Sequence, residues 1–406
     1  MKTQDIEISQ YDYPLAEENI ARYPLDKRDA SKLLVYRPNT DILCKKFDHL
    51  PGLIPSDSLL VFNNTKVIRA RIAFAKETGA QIEVFCLEPI TPNDYQLAFQ
   101  QREACTWKCI VGNAKRWKSG ALQCVMPDTN GEILSVWQVE KFQDGSYILK
   151  FSWLNTERTF AEIIERVGHT PIPPYLNRKS EAIDTERYQT VYSKTKGSVA
   201  APTAGLHFTP NVLEEIAARG IRSTELTLHV GAGTFKPVST QTIGAHEMHS
   251  EHFYFTVAQL EMLCEFAGRI IPVGTTSLRS IESIYWLGVM VLVNPLLQPE
   301  NLVVSQWLPY QYSPEYSATE SLTALIEYMH QHKLDFVEAQ TQILIAPPYQ
   351  SKLIRAIITN FHQPKSTLLV LISALIGQQW NAVYEYALAN NFRFLSYGDS
   401  SLLFVS

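Results

Sequence analysis

At 406 residues, with 46% hydrophobic and 19% charged side chains, the chain has the composition of a globular protein long enough for two or three domains. Its formal net charge of −5 excludes general attraction to nucleic acid or anionic membrane, so any polyanionic partner must be met by a local basic patch. The six cysteines (Cys44, Cys86, Cys105, Cys109, Cys124 and Cys264) form no C-x-x-C pair and read as small core residues of a reducing compartment. The N-terminus carries no basic region followed by an apolar run, and the longest strongly apolar segment, Leu368–Ile376, is far too short to span a membrane. The expected location is the cytoplasm, with no membrane and no obligate protein partner, as a monomer.

The first 65 residues predict a short helix over Ala16–Arg22, a strand after Arg28 and Asp29, and a buried strand LLVF ending in Asn63 and Asn64. Paired asparagines at a strand end suit a turn cap or a ligand contact. From about Lys66 to Trp153 the texture changes to short alternating runs separated by turns, among them VIRARIAF, QIEVFCLE, YQLAFQ, TWKCIVG and YILKFSW. That spacing predicts a small all-β barrel, inserted at 66–153 into a mixed α/β domain made of 1–65 and 154–406. One of its turns, Trp107–Ser119, mixes Lys108, Lys115, Arg116 and Lys118 with Trp107 and Trp117. Cations meet phosphates and aromatic faces stack on unpaired bases, so this turn is either a nucleic-acid contact or a solvated turn with half-buried tryptophans.

After the barrel, FAEIIERV predicts a helix closed by Gly168, and Pro171–Tyr175 a rigid extended strip. Thr209 and Pro210 open a helix that Gly220 ends, and ELTLHV follows as a strand. GRIIPVGTTSLRSIESIYW reads as a buried strand, a Gly-Thr-Thr-Ser turn suited to an anion, and a helix with Arg279 and Glu282 on one face. Further on come a helix around Leu322–Met329 with Thr319 as cap, strands TQILIAPPY and LIRAIITNFH, a buried helix begun by Lys365, Ser366 and Thr367, the helix NAVYEYALAN, and terminal strands in RFLSYGDSSLLFV.

Five of the ten histidines lie between Gly197 and His252: His207, His229, His246, His249 and His252. Histidine exchanges protons near neutrality, and the small residues around these let a backbone approach a ligand closely. Dinucleotide, P-loop and G-x-S-x-G fingerprints are missing, and HEMHSEH (246–252) matches no zinc-hydrolase spacing. If HSEHFYF is a strand, His249 and Glu251 share one face, as an acid/base pair or as part of a metal site.

The motifs ERYQTVY (186–192), GSVAAPTAGLHFT (197–209), TLHVGAGTF (227–235), HEMHSE (246–251), VGTTSLRSIE (273–282), TNFHQPKSTLL (359–369) and SYGD (396–399) resemble, in order, those of the S-adenosylmethionine:tRNA ribosyltransferase-isomerase family of queuosine biosynthesis. DYPL, RDASKLL (28–34) and LLVFNNTKVIRAR (59–71) extend the resemblance from near residue 11 to the C-terminus. It implies a mixed α/β fold with an inserted β-barrel. It also implies transfer and isomerisation of the ribosyl part of S-adenosylmethionine onto 7-aminomethyl-7-deazaguanine at the tRNA wobble position. The product is epoxyqueuosine-tRNA, and adenine and methionine leave. S-adenosylmethionine is a co-substrate, no cofactor or metal is implied, and the tRNA is met at its anticodon loop.

The sulfonium makes the adjoining ribose carbon acidic, so the chemistry needs a positioned base and later an acid for adenine. His207, His229, His249 and Glu251 are the expected proton carriers. The expected substrate contacts are Thr203, Gly205, Gly233, Thr234, Gly274, Thr275, Thr276, Ser277 and Arg279, with Asn360, His362, Lys365 and Ser366 from the later turn. Lys108, Lys115, Arg116 and Lys118 are the expected tRNA contacts. The chain departs from the family pattern at Pro347-Pro348-Tyr349, where a glycine is usual in the middle, at Gln363, and through Val289–Gln340. Two other classes remain: a non-catalytic tRNA-binding paralogue, and a metal-dependent hydrolase using HEMHSEH.

Overall fold

A computed structural model describes residues 2–76, 79–231, 238, 240–312 and 316–405. The first part of the chain carries β1 (Lys32–Tyr36), β2 (Leu43–Lys46), β3 (Leu59–Asn63) and β4 (Thr65–Val67). Next come β5 (Arg71–Ala75), β6 (Gln81–Thr91), α1 (Tyr95–Gln100), β7 (Ala104–Gly112), β8 (Leu122–Val125), β9 (Ile133–Lys141), β10 (Ser146–Trp153), α2 (Phe160–Val167) and β11 (Gly168–His169). The middle holds α3 (Ala182–Arg187), β12 (Thr195–Ser198), α4 (Pro210–Ala218), β13 (Arg222–Leu228), β14 (Glu251–Thr256), α5 (Val257–Glu265), β15 (Ile270–Pro272) and α6 (Thr275–Val293). The last part holds β16 (Val303–Val304), α7 (Leu308–Gln311), α8 (Ala318–Gln331), β17 (Phe336–Thr341), β18 (Ala356–Asn360), α9 (Thr367–Ile376), α10 (Gln379–Ala389) and β19 (Ser400–Phe404).

These elements make the mixed α/β architecture expected from the sequence. A six-stranded sheet runs β15-β3-β13-β14-β17-β16, and a four-stranded one runs β18-β19-β1-β2. β3 is buried along its whole length, as its unbroken apolar run requires of a strand with a parallel neighbour on each side. The two sheets meet where Val273, just beyond β15, bridges Ile358 of β18 in parallel. That junction sets the C-terminal end of β15 beside the C-terminal end of β18, where open α/β sheets bind ligands. α6 and α9 start there.

The alternating segment, joined by β11 from beyond it, forms a separate antiparallel sheet, β11-β5-β6-β7-β10-β9-β8, around its own apolar cluster, with Phe74, Trp107, Leu149 and Phe151 fully buried. That cluster also takes in Phe160, Ile163, Ile164 and Val167 from α2. Trp107 and Trp117 are core residues of it, so neither ring is free to stack on a base, and the expectation of half-exposed tryptophans is corrected.

Other local expectations are corrected as well. YQLAFQ is helix α1, because Asp94 caps it by accepting from Leu97 N and the turn buries Tyr95, Ala98 and Phe99 at helical spacing. Ala16–Arg22 yields only a 3-10 turn, Glu17–Asn19. TQILIAPPY leaves the sheet after Thr341, since Pro347 and Pro348 offer no ladder donor and Tyr310 supplies the hydroxyl that Ala346 N donates to. α8 is capped by Ser317 in a capping box with Glu320, not by Thr319. RFLSYGDSSLLFV holds one strand, β19, and Cys44 is exposed rather than a core residue.

Candidate active site

The paired asparagines turn out to stitch strands together. Asn63 spans the end of β13, accepting from Leu228 N at 3.1 Å and donating to Leu228 O at 3.0 Å. Asn64 accepts from the Thr227 hydroxyl at 2.7 Å. With β13 so fixed, the chain after it runs beside the end of β12: Val199 N donates to Val230 O, and Val230 N donates to the Ser198 hydroxyl at 3.0 Å. Gly197 holds φ +152°, and a Cβ there would stand 2.4 Å from the His229 ring. Glycine is what lets the imidazole lie against the backbone.

His229 Nδ1 lies 3.1 Å from the Thr65 hydroxyl, which itself donates to Thr195 O, so Nδ1 carries the ring proton. Its ring packs 4.5 Å from that of Tyr95. Burial lowers its pKa to about 4, with the nearby His252 adding to the effect.

His207 ends the 3-10 turn Thr203–His207 and is equally committed. Asn360 donates from Nδ2 to the carbonyls of Leu395 and Ser396, at 2.8 and 3.3 Å, which turns its Oδ1 to His207 Nε2 at 3.2 Å. Nε2 therefore holds the proton and Nδ1 accepts from the Ser31 hydroxyl at 2.8 Å. Burial lowers this pKa too, to about 4, against the smaller opposing effect of Asn360.

The largest cluster of expected residues gathers at the junction of the two sheets. Thr203, His249, Glu251, Gly274, Thr275, Thr276 and Arg279 line one cavity, together with Asn360, His362, Lys365 and Ser366. Gly274 closes β15 with φ +92° and donates its N–H to Ile358 O at 2.8 Å, which ties the start of α6 to β18. Arg279, one turn into α6, reaches back to the first residue of β14: Nη1 donates to Glu251 Oε2 and Nε donates to Ile343 O at 3.2 Å. His362 follows β18 with Nε2 placed 3.1 Å from the Thr359 hydroxyl, and burial alone lowers its pKa to about 4. Lys365, at the rim, pairs with Asp12 at 2.7 Å.

Several expected residues stand behind this wall. Ser277 donates to Val273 O at 2.9 Å, and Gly205 makes room for Tyr192, whose hydroxyl a Cβ would meet at 1.9 Å. Ser366, though at the wall, spends its hydroxyl capping α9 and donating to Gln363 O. His207 is not in the cavity wall but is hydrogen-bonded to Asn360, which is. His229 lines an adjoining cleft with Tyr95, Lys108 and His252; His249 and Glu251 line both spaces. Gly233 and Thr234 lie outside the described residues.

Lys108 sits on β7, paired with Glu88 at 3.0 Å, and is separated from the exposed turn that carries Lys115, Arg116 and Lys118. HSEHFYF is a strand only from Glu251. Its side chains diverge, Glu251 toward Arg279 and His252 toward Glu338 at 2.8 Å. Among the described residues no group of three His, Cys, Asp or Glu side chains is placed to hold a metal ion. Sequence reasoning missed Tyr175, Met248 and Phe361 in the cavity wall. Tyr175 followed the rigid proline strip, and Met248 and Phe361 lay inside the motifs at 246–251 and 359–369.

The profile of the family described as queuosine biosynthesis protein matches residues 8–403. The chain belongs to that family. The S-adenosylmethionine:tRNA ribosyltransferase-isomerase of Trichlorobacter lovleyi is 35% identical over 401 residues, covering 98% of this chain and 99% of its own. The protein of the same name from Francisella philomiragia is 36% identical over 413 residues and covers both chains fully. Among solved structures, the S-adenosylmethionine tRNA ribosyltransferase of Thermotoga maritima is 26% identical with a TM-score of 0.45, covering 97% of this chain and 99% of its own. The metal-hydrolase and non-catalytic readings are not favoured by these matches.

Proposed function

We propose that the junction cavity takes S-adenosylmethionine and that the chain transfers and isomerises its ribosyl group onto 7-aminomethyl-7-deazaguanine at the wobble position of tRNA. Epoxyqueuosine-tRNA is the product, and adenine and methionine are released. One observation carries the reading. The motifs shared with the family, dispersed from Thr203 to Ser366, converge on one cavity at the carboxyl ends of β15 and β18.

Proton transfer from the carbon beside the sulfonium calls for an unprotonated base near neutrality. His249 is the best placed of the expected carriers, because it lines both the cavity and the cleft through which the acceptor amine would approach. His362, neutral at pH 7 with a pKa of about 4, is a second group at the cavity able to accept a proton. His207 orients Asn360, and His229 shapes the cleft. Glu251 is engaged by Arg279 and holds charge at the floor. No cofactor or metal enters this scheme.

In this reading strands β5–β10 are the inserted β-barrel, residues 66–153, on a catalytic domain of 1–65 and 154–406 whose α2 and β11 pack onto it. The barrel's exposed turn with Lys115, Arg116 and Lys118, together with Lys108 at the cleft, offers the local basic surface that an anticodon loop needs against a net charge of −5. Among the described residues no single helix is long and apolar enough to cross a membrane, and the proposed setting is a cytoplasmic monomer.

The test is incubation of the purified protein with S-adenosylmethionine and tRNA carrying the aminomethyl base, with measurement of free adenine. Adenine in proportion to modified tRNA is expected. Retained tRNA binding without adenine would instead identify a non-catalytic paralogue.

A further inference from the structure

Arg279 and Glu251 meet at the floor of the cavity with side chains only 7% and 6% exposed. Nη1 and Nε of the guanidinium have acceptors, but Nη2 is buried without one among the described residues. A buried donor left unsatisfied costs as much as a lost hydrogen bond, and a charged donor costs more, so such a group marks a place where an acceptor belongs. The same wall holds the start of α6, a helix of 19 residues whose N-cap is Gly274, with no side-chain cap and no acidic residue in its first turn. Gly274, Thr275 and Thr276 line the cavity beside Arg279. Helix start and guanidinium thus stand side by side in the wall that an anionic group would meet.

That group has company. Glu251 lines the same cavity and already neutralises Arg279, so a simple anion, or a phosphate still more, would meet a carboxylate beside its donors. A ligand carrying an ammonium next to a carboxylate meets no such conflict. Its carboxylate takes Nη2 and the helix start, and its ammonium faces Glu251. We infer that the Glu251–Arg279 pair and the N-terminus of α6 form the receptor for the zwitterionic amino-acid end of the substrate, the methionyl part of S-adenosylmethionine. The inference rests on the reading that this cavity takes that sulfonium.

Adenine release from modified tRNA, followed with S-adenosylmethionine and with its decarboxylated form, tests it. The wild type is expected to prefer the carboxylate-bearing sulfonium by about tenfold or more in kcat/KM, the range a charged hydrogen bond supplies. Arg279→Met keeps the buried stem and removes the donors. It should lower kcat/KM for S-adenosylmethionine by about tenfold more than for the decarboxylated form, so that the preference collapses. A purely structural role would lower both alike. A wild type that treats the two sulfonium compounds equally, or a variant that keeps the preference, overturns the assignment.

Should Arg279→Met fail to fold, the wild type alone decides with small probes. L-methionine is expected to compete with S-adenosylmethionine, whereas methioninol, lacking the carboxylate, and 4-(methylthio)butanoate, lacking the ammonium, are expected to compete at least about tenfold more weakly. Equal inhibition by the three overturns it. A wild type that releases no adenine at all removes the functional reading and this inference with it. Active enzyme without discrimination removes the inference alone.

Discussion

His207→Gln separates a histidine that positions from one that moves protons. The ring is buried, and its pKa falls from the ordinary 6.5 to about 4. The folded value lies below the unfolded one, so in that window the unfolded chain binds a proton that the folded chain refuses. Stability therefore falls as pH falls from 6.5 toward 4. For such a shift the loss at about pH 5 is about 2 kcal/mol. His229 and His362 shift in the same direction and add to the wild-type loss. Glutamine keeps a donor for Asn360 but leaves the Ser31 hydroxyl without its acceptor, a cost of about 1–2 kcal/mol near pH 7.5.

Urea unfolding of both proteins at several pH values is the assay. The variant should be the weaker near neutrality, and the gap should close by about 2 kcal/mol by about pH 5. Curves that stay parallel would refute the neutral, buried assignment. Adenine release should also fall by far less than the about 10²–10⁴-fold that loss of a general base costs, because both ring nitrogens are already occupied. A loss of that size with normal folding would return His207 to the chemistry.

Gly197→Ala forces a Cβ to within 2.4 Å of the His229 ring at φ +152°, so unfolding stability should fall by at least about 2 kcal/mol and adenine release should weaken. An unchanged melting temperature would sink the close-approach argument. Lys115→Glu combined with Arg116→Glu changes two exposed side chains of the seven-stranded sheet, so tRNA affinity should drop while its salt dependence flattens, with the melting temperature kept. Untouched affinity would remove this turn from the tRNA surface.

Some of this protein was readable from local pattern. LLVF read as a buried strand, Thr209-Pro210 as a helix start, and the Gly-Thr-Thr run as the join of a strand to a helix, and each is so. YQLAFQ misled because alternation over six residues fits a strand as well as a helix turn, and the Asp94 cap decides only when Leu97 N is in reach. The basic turn misled in another way: its tryptophans belong to a core that seven strands assemble together.

The order and chemistry of the motifs, by themselves, determined the family and placed ligand-type residues in the turns after Val273 and Thr359. What each of those residues is free to do was decided by the tertiary structure alone. His207 meets Asn360 across 153 residues, where the 3-10 turn Thr203–His207 lies against the end of β18, and Glu251 meets Arg279 across 28, where the start of β14 faces the second turn of α6. Hydrogen-bond donors and acceptors are counted once folded. His207 has each ring nitrogen already hydrogen-bonded within the fold, whereas Arg279 has a buried nitrogen with no acceptor among the described residues.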